Sequence, residues 1–326
     1  MATPVLRSAW LLYASTIVSA IAVVLGVIIA PGVRGVASDK VVSFWQTFSA
    51  IFSNSAAILL IGLMVLGIYE LLVDTKVAYA AKGGIMFGSA ASVVVASLAF
   101  VFPMANLVSV LLILAACLVA GVAGSMALRS EHTRAGGMVV MLLAVSALLR
   151  LIAWRLAVAG ATEPGTYATA RGFATASVVC EGFAQAATVV WVGMRGRWVG
   201  QVTTPLALAG AFFIVWSAGQ GRGEDAPQWK MALWGSLGWL PPPEPFALST
   251  LAVYFGVSAP LLALAALVAV RKQGVMSASI ALAILARGML DVPLRSLFLC
   301  AAAIWMVLTT VDDRAMWRAR VDEKKG

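Results

Sequence analysis

MVVMLLAVSALLRLIAWRLAVAG (138–160) and GFATASVVCEGFAQAATVVWVGM (172–194) decide how this chain folds. Each is an apolar run of the about 17–25 residues a helix needs to cross the hydrocarbon core of a bilayer. Each also carries an ionisable residue deep inside it, Arg150 in the first and Glu181 in the second. A lone charge at that depth costs roughly 3 kcal/mol or more. Two opposite charges at one depth on neighbouring helices offset much of that cost. If the first run travels outward to residue 159 and the second returns from residue 172, both charges lie about 14 Å below the same face. One turn deeper, Ser146 and Gln185 face the same way as their charged neighbours. The expectation is an antiparallel hairpin that joins Arg150 to Glu181 and Ser146 to Gln185.

Composition points to the same solvent. Of 326 residues, 62% are hydrophobic and 11% charged, against about 25% charged in soluble domains. With a mean hydropathy of +0.97, the chain lacks the polar surface that water demands, and lipid becomes its solvent. The expected fold is all-α, a polytopic integral membrane helical bundle forming a single transmembrane domain over 1–326. The net charge of +9 fits cytoplasmic loops rich in Lys and Arg, and a nucleic-acid partner is not expected. Cys117, Cys180 and Cys300 all sit in apolar segments, which argues against a disulfide framework. One histidine, His132, and no clustered carboxylates leave no ligand set for a zinc or bis-His haem site. Neither a metal nor a cofactor is expected.

Eight spans can be drawn over about 9–31, 55–73, 83–103, 105–127, 137–159, 172–194, 203–219 and 247–270. The first follows only seven residues and reads as a retained signal anchor. The region 276–311 is too long for one span and breaks at Asp291-Val292-Pro293, because proline lacks a donor and disfavours helix before it. It reads as two short helices, 276–290 and 293–311, or as a re-entrant pair. Residues 38–53 place Val41, Phe44, Trp45, Phe48, Ile51 and Phe52 at helical spacing, the pattern of an amphipathic helix on the outer interface, either separate or running on into the second span. Residues 219–246, with Trp229, Trp234, Trp239 and Pro241, Pro242 and Pro243, read as an outer loop at the headgroup layer. Residues 312–326 read as a basic cytoplasmic tail. With the N-terminus inside, cytoplasmic segments hold twice as many Lys and Arg as the opposite side. That bias supports eight to ten spans with both termini inside a bacterial inner membrane.

Other features have plainer readings. Arg287, Asp291 and Arg295 are spaced i, i+4, i+8 and form a secondary cluster at the proline break. The favoured reading is a capped and bridged outer turn; a substrate gate is the alternative. Arg155 is an interface anchor able to snorkel. Glu70 and Asp74, near Lys76 and Lys82, read as a solvated turn. Small residues recur at spacing four, as Gly84, Gly88 and Ser92 and as Ala116, Ala120 and Gly124. Such faces pack helices within one chain or join two copies in a homodimer. No G-x-S-x-G, H-E-x-x-H or P-loop occurs. The stretch 48–72, with Asn54, Gly62 and Gly67, together with Glu181-x-x-Ala184, resembles parts of the stage II sporulation protein M family. The paired Asn and the His-Gly before the Glu are missing here, so no residue role is carried over.

Three functional readings follow. The first is a permease-like transporter for a small solute or ion, with Arg150, Glu181, Ser146 and Gln185 in its polar core. The second is a non-catalytic scaffold or assembly factor whose ion pair is structural. The third is a lipid-processing enzyme using Asp312 and Asp313. Glu181 at the edge of a mid-membrane cavity is the mark of the first.

Overall fold

Inside lipid a chain must satisfy its backbone N–H and C=O groups internally, which leaves helices or closed barrels. The computed structural model takes the helical solution, and no strand occurs among the described residues. Those residues are 8–26, 38–73, 107–128, 133–159, 164–220, 246–269 and 275–287, with 298, 299, 301–303, 305 and 306. The helices are α1 (Ala9–Val24), α2 (Asp39–Val73), α3 (Leu107–Ala127), α4 (Arg134–Ala159), α5 (Pro164–Arg195), α6 (Arg197–Gln220), α7 (Phe246–Ala269) and α8 (Val275–Arg287). Four of them, α2, α4, α5 and α6, are long and apolar enough to cross a membrane.

At the centre lies α8. Every residue from Met276 to Ala286 is buried, as expected of a helix that is apolar all round. Phe298, Leu299, Ala301, Ala302, Ala303, Trp305 and Met306 are buried in the same cluster. Around this centre pack α4, α7 and α1. The outer helices turn apolar side chains outward: Leu206, Phe212 and Phe213 of α6 and Ile58, Val65 and Tyr69 of α2 are exposed.

Hydroxyls pin the first hairpin. Ser15 Oγ donates to Ala56 O at 3.0 Å and Ser49 Oγ to Ala22 O at 2.9 Å, tying α1 to α2. Tyr13 Oη donates to Leu267 O at 2.9 Å, tying α1 to α7. Glu70 is not the freely solvated turn residue expected. It is half-buried and accepts from the Ser8 amide at 3.2 Å and the Ser8 hydroxyl at 3.3 Å. That places a carboxylate at the positive end of α1.

Boundaries differ from the sequence reading most at the helix starts. Helix α5 begins at Pro164 instead of 172. Residues 39–53 join the second span in one 35-residue helix, the continuous form of that reading. The polar trio Ser53-Asn54-Ser55 does not break it, because Ser55 Oγ folds back onto Ile51 O at 2.8 Å. Helix α6 starts at Arg197 instead of 203, since the polar RGRWVGQ stretch is a tight corner and not a loop. At that corner Gly200 backs directly onto the Val192 carbonyl, and a Cβ on Gly196 would lie 2.7 Å from Ala269 Cβ. The reversal puts Arg197 at φ 49, a left-handed conformation that costs an L-residue about 1–2 kcal/mol.

The Ala116, Ala120 and Gly124 face is used within the chain. All three are buried, and Gly124 meets the backbone of α4. At Gly124 the face packs on α4, the within-chain alternative of the sequence reading. Gly84, Gly88 and Ser92 lie outside the described residues, as do the expected span 83–103, most of the loop 219–246 and the tail 312–326. Arg287 ends α8, while Asp291, Arg295, Asp312 and Asp313 lie outside the described residues.

Two substitutions test this packing. A Cβ on Gly137 would sit 2.6 Å from Gly124 O and 2.9 Å from Ala127 Cβ, so Gly137→Ala must push α3 off α4. Its expected cost is about 1–3 kcal/mol, read as a lower thermal midpoint of the detergent-solubilised protein. Arg197→Gly should stabilise the same preparation by about 1 kcal/mol through relief of the left-handed strain.

Candidate functional site

Arg150 and Glu181 meet at the core of the α4–α5 hairpin. Arg150 Nη2 lies 2.6 Å from Glu181 Oε1, and the two residues are 3% and 2% exposed. Four hydrogen bonds close into a ring. Arg150 Nε donates to Ser177 Oγ at 3.4 Å, and the Ser177 and Ser146 hydroxyls are 2.8 Å apart. Ser146 Oγ donates to Glu181 Oε1 at 3.1 Å, and Arg150 Nη2 donates to the same oxygen. Each hydroxyl has one proton to give. With Ser177 donating to Ser146, every proton in the ring has its own acceptor, and such chains polarise in one direction.

Side-chain lean explains how the ring closes. The short hydroxyls of Ser146 and Ser177 touch, which sets the two helices level at that point. Arg150 lies one turn beyond Ser146 and Glu181 one turn beyond Ser177, on helices running opposite ways. Helical side chains point back toward their own N-terminus. The guanidinium and the carboxylate therefore lean toward each other and converge at the level of the serines.

The same register corrects the expected Ser146–Gln185 pair. Gln185 lies two turns from Ser177, about 12 Å along the axis, beyond the reach of the Ser146 hydroxyl. It turns instead to α7, where Gln185 Nε2 donates to Phe255 O at 2.6 Å and Ser258 Oγ donates to Gln185 Oε1 at 2.7 Å. Nearby, Pro260 has no N–H to give the Gly256 carbonyl, so the backbone ladder of α7 is interrupted beside this contact. Gly182 admits the Phe255 ring, since a Cβ there would lie 2.9 Å from Phe255 Cζ.

Two small cavities touch Glu181. One, of about 20 Å³, is bounded by Leu143, Ser146, Ala147, Glu181, Ala283, Ala286 and Leu299. The other, of about 10 Å³, is bounded by Leu143, Glu181, Ala184, Gln185, Ala259 and Ile284. Each is about the size of one water molecule, far below ordinary small-molecule pockets. Their polar groups are the carboxylate, the Ser146 hydroxyl and the Gln185 amide, and the rest of each wall is apolar.

Ser177 and Ser258 were missed at the sequence level. Ser177 carried a signal, for it stands four residues before Glu181 just as Ser146 stands four before Arg150. Ser258 and the Phe255 carbonyl carried none, because nothing local says that α7 packs there. Arg155 is half-buried, with its guanidinium 6.0 Å from the Trp154 ring centroid. No group of three or more His, Cys, Asp or Glu suited to a metal occurs among the described residues. No family model, curated protein or solved structure matches the chain.

A double-mutant cycle measures the ring. Arg150→Met alone strands the carboxylate and Glu181→Leu alone strands the guanidinium, each at an expected cost of about 3–5 kcal/mol, whereas the two together should recover most of the loss. Thermal unfolding in detergent reads both. Additive losses would mean that the two side chains do not depend on each other.

Proposed function

We propose that the chain is a multi-pass, permease-like protein of the bacterial inner membrane that moves a proton or small ion, with Glu181 as the exchanging group. The proposal includes eight to ten spans with both termini inside, supported by the two-to-one placement of Lys and Arg. One observation carries the functional reading: Glu181 is held by Arg150 and Ser146 and also bounds both core cavities. A carboxylate so placed can trade its guanidinium partner for something that enters the cavity. The small volumes favour a proton or small ion over a larger solute.

The completeness of the hydrogen-bonded ring favours a second reading, a membrane scaffold whose ion pair fixes helix register. Flux separates the two. Purified protein in liposomes loaded with a pH-sensitive dye should acidify under an imposed potential, and Glu181→Gln should lower the rate at least about tenfold, within the range of positioned acid–base groups. Absence of wild-type flux for protons and for alkali cations would eliminate the transport reading and leave the scaffold.

A further inference from the structure

We infer that the α5–α6 corner, Arg195-Gly196-Arg197-Trp198, binds the phosphate of an anionic lipid headgroup. The inference rests on the membrane fold and is independent of transport through Glu181.

Arg195 and Arg197 are both exposed, and neither makes a hydrogen bond or ion pair with another described residue. They stand two residues apart, so their Cα atoms lie within about 7 Å. Arginine side chains are long enough to converge from that spacing on one phosphate, whose oxygens accept paired N–H bonds. Arg197 also occupies the left-handed position of the corner, at φ 49. Glycine would make the same reversal without strain, and the corner does use glycine at 196 and 200, where the backbone is crowded. A charged side chain held at this strained, exposed position suits an external anion.

The neighbouring surface selects lipid over a soluble anion. Trp198 is 73% and Met194 is 75% exposed, and Val202 is exposed one turn further along α6. The corner thus presents charge and apolar surface side by side. Indole belongs at the headgroup level, with the acyl region just beneath it.

The experiment uses the full chain in detergent with phosphatidylglycerol or phosphatidylcholine titrated in, and reads bound lipid by native mass spectrometry and the thermal midpoint. Wild type is expected to hold phosphatidylglycerol in preference to phosphatidylcholine, with the preference shrinking as salt rises. Each arginine removed, in Arg195→Gln and Arg197→Gln, should weaken phosphatidylglycerol binding about fivefold. Arg197→Gly supplies the folding control: it should raise the lipid-free midpoint and still bind phosphatidylglycerol less well. Equal binding of the two lipids by wild type would overturn the inference, as would an undiminished preference in the double variant. Displacement of phosphatidylglycerol by equimolar inorganic phosphate would also overturn it, since the site would then be a free-anion site.

Discussion

The contact between Arg150 and Glu181 sets the terms for everything packed around it. Both side chains are buried, and arginine stays charged under any condition a protein meets. Each charge is tolerable only while the other is present. Two serines link the guanidinium to the carboxylate and close the ring between the helices. Helices α7 and α8 pack on the α4–α5 hairpin.

That packing draws little on the hydrophobic effect, because lipid tails are as apolar as leucine. Close van der Waals contact must supply the attraction, and small residues make close contact possible. Gly124 and Gly137 bring the backbones of α3 and α4 together. Gly136 receives the tips of Met276 and Met306, Gly182 receives the Phe255 ring, and Gly196 meets Ala269. Alanine dominates the buried faces of α7 and α8. The result is a centre where small residues interleave with large ones such as Phe298, Trp305 and Ile280, and at the glycines one added methyl group has a backbone atom or ring to collide with.

How much of this was legible in the sequence depended on range. The apolar runs announced helices because hydrocarbon leaves so few alternatives. Arg150 and Glu181 announced each other because a charge in that setting needs a partner, and adjacent antiparallel helices bring the two within reach. Their register was harder to read. Starting α5 at 172 rather than at Pro164 shifts the pairing by about two turns, which matches Ser146 with Gln185 instead of Ser177. Ser258 was invisible for a different reason: partner choice between α5 and α7 is a property of the assembled bundle. The α5–α6 corner was hidden because its glycines and arginines look like a loop until the backbone contact between Gly200 and Val192 is seen.

The two functional readings reduce to one physical question about the ring. If Glu181 takes up a proton, Arg150 loses its counter-charge in an apolar interior, and the protonated state is poor unless the guanidinium finds another acceptor. The carbonyls that α7 offers beside Pro260 are committed in part to Gln185, and Ser177 is neutral. A working carrier would therefore have to move the hairpin, admit water or bring an anion to Arg150 in step with each protonation of Glu181. A scaffold needs none of these, and its ring never opens. Function at this site is thus a matter of whether α4 and α5 can part at the level of their serines, a motion that the glycine contacts with α3 and α7 oppose from both sides.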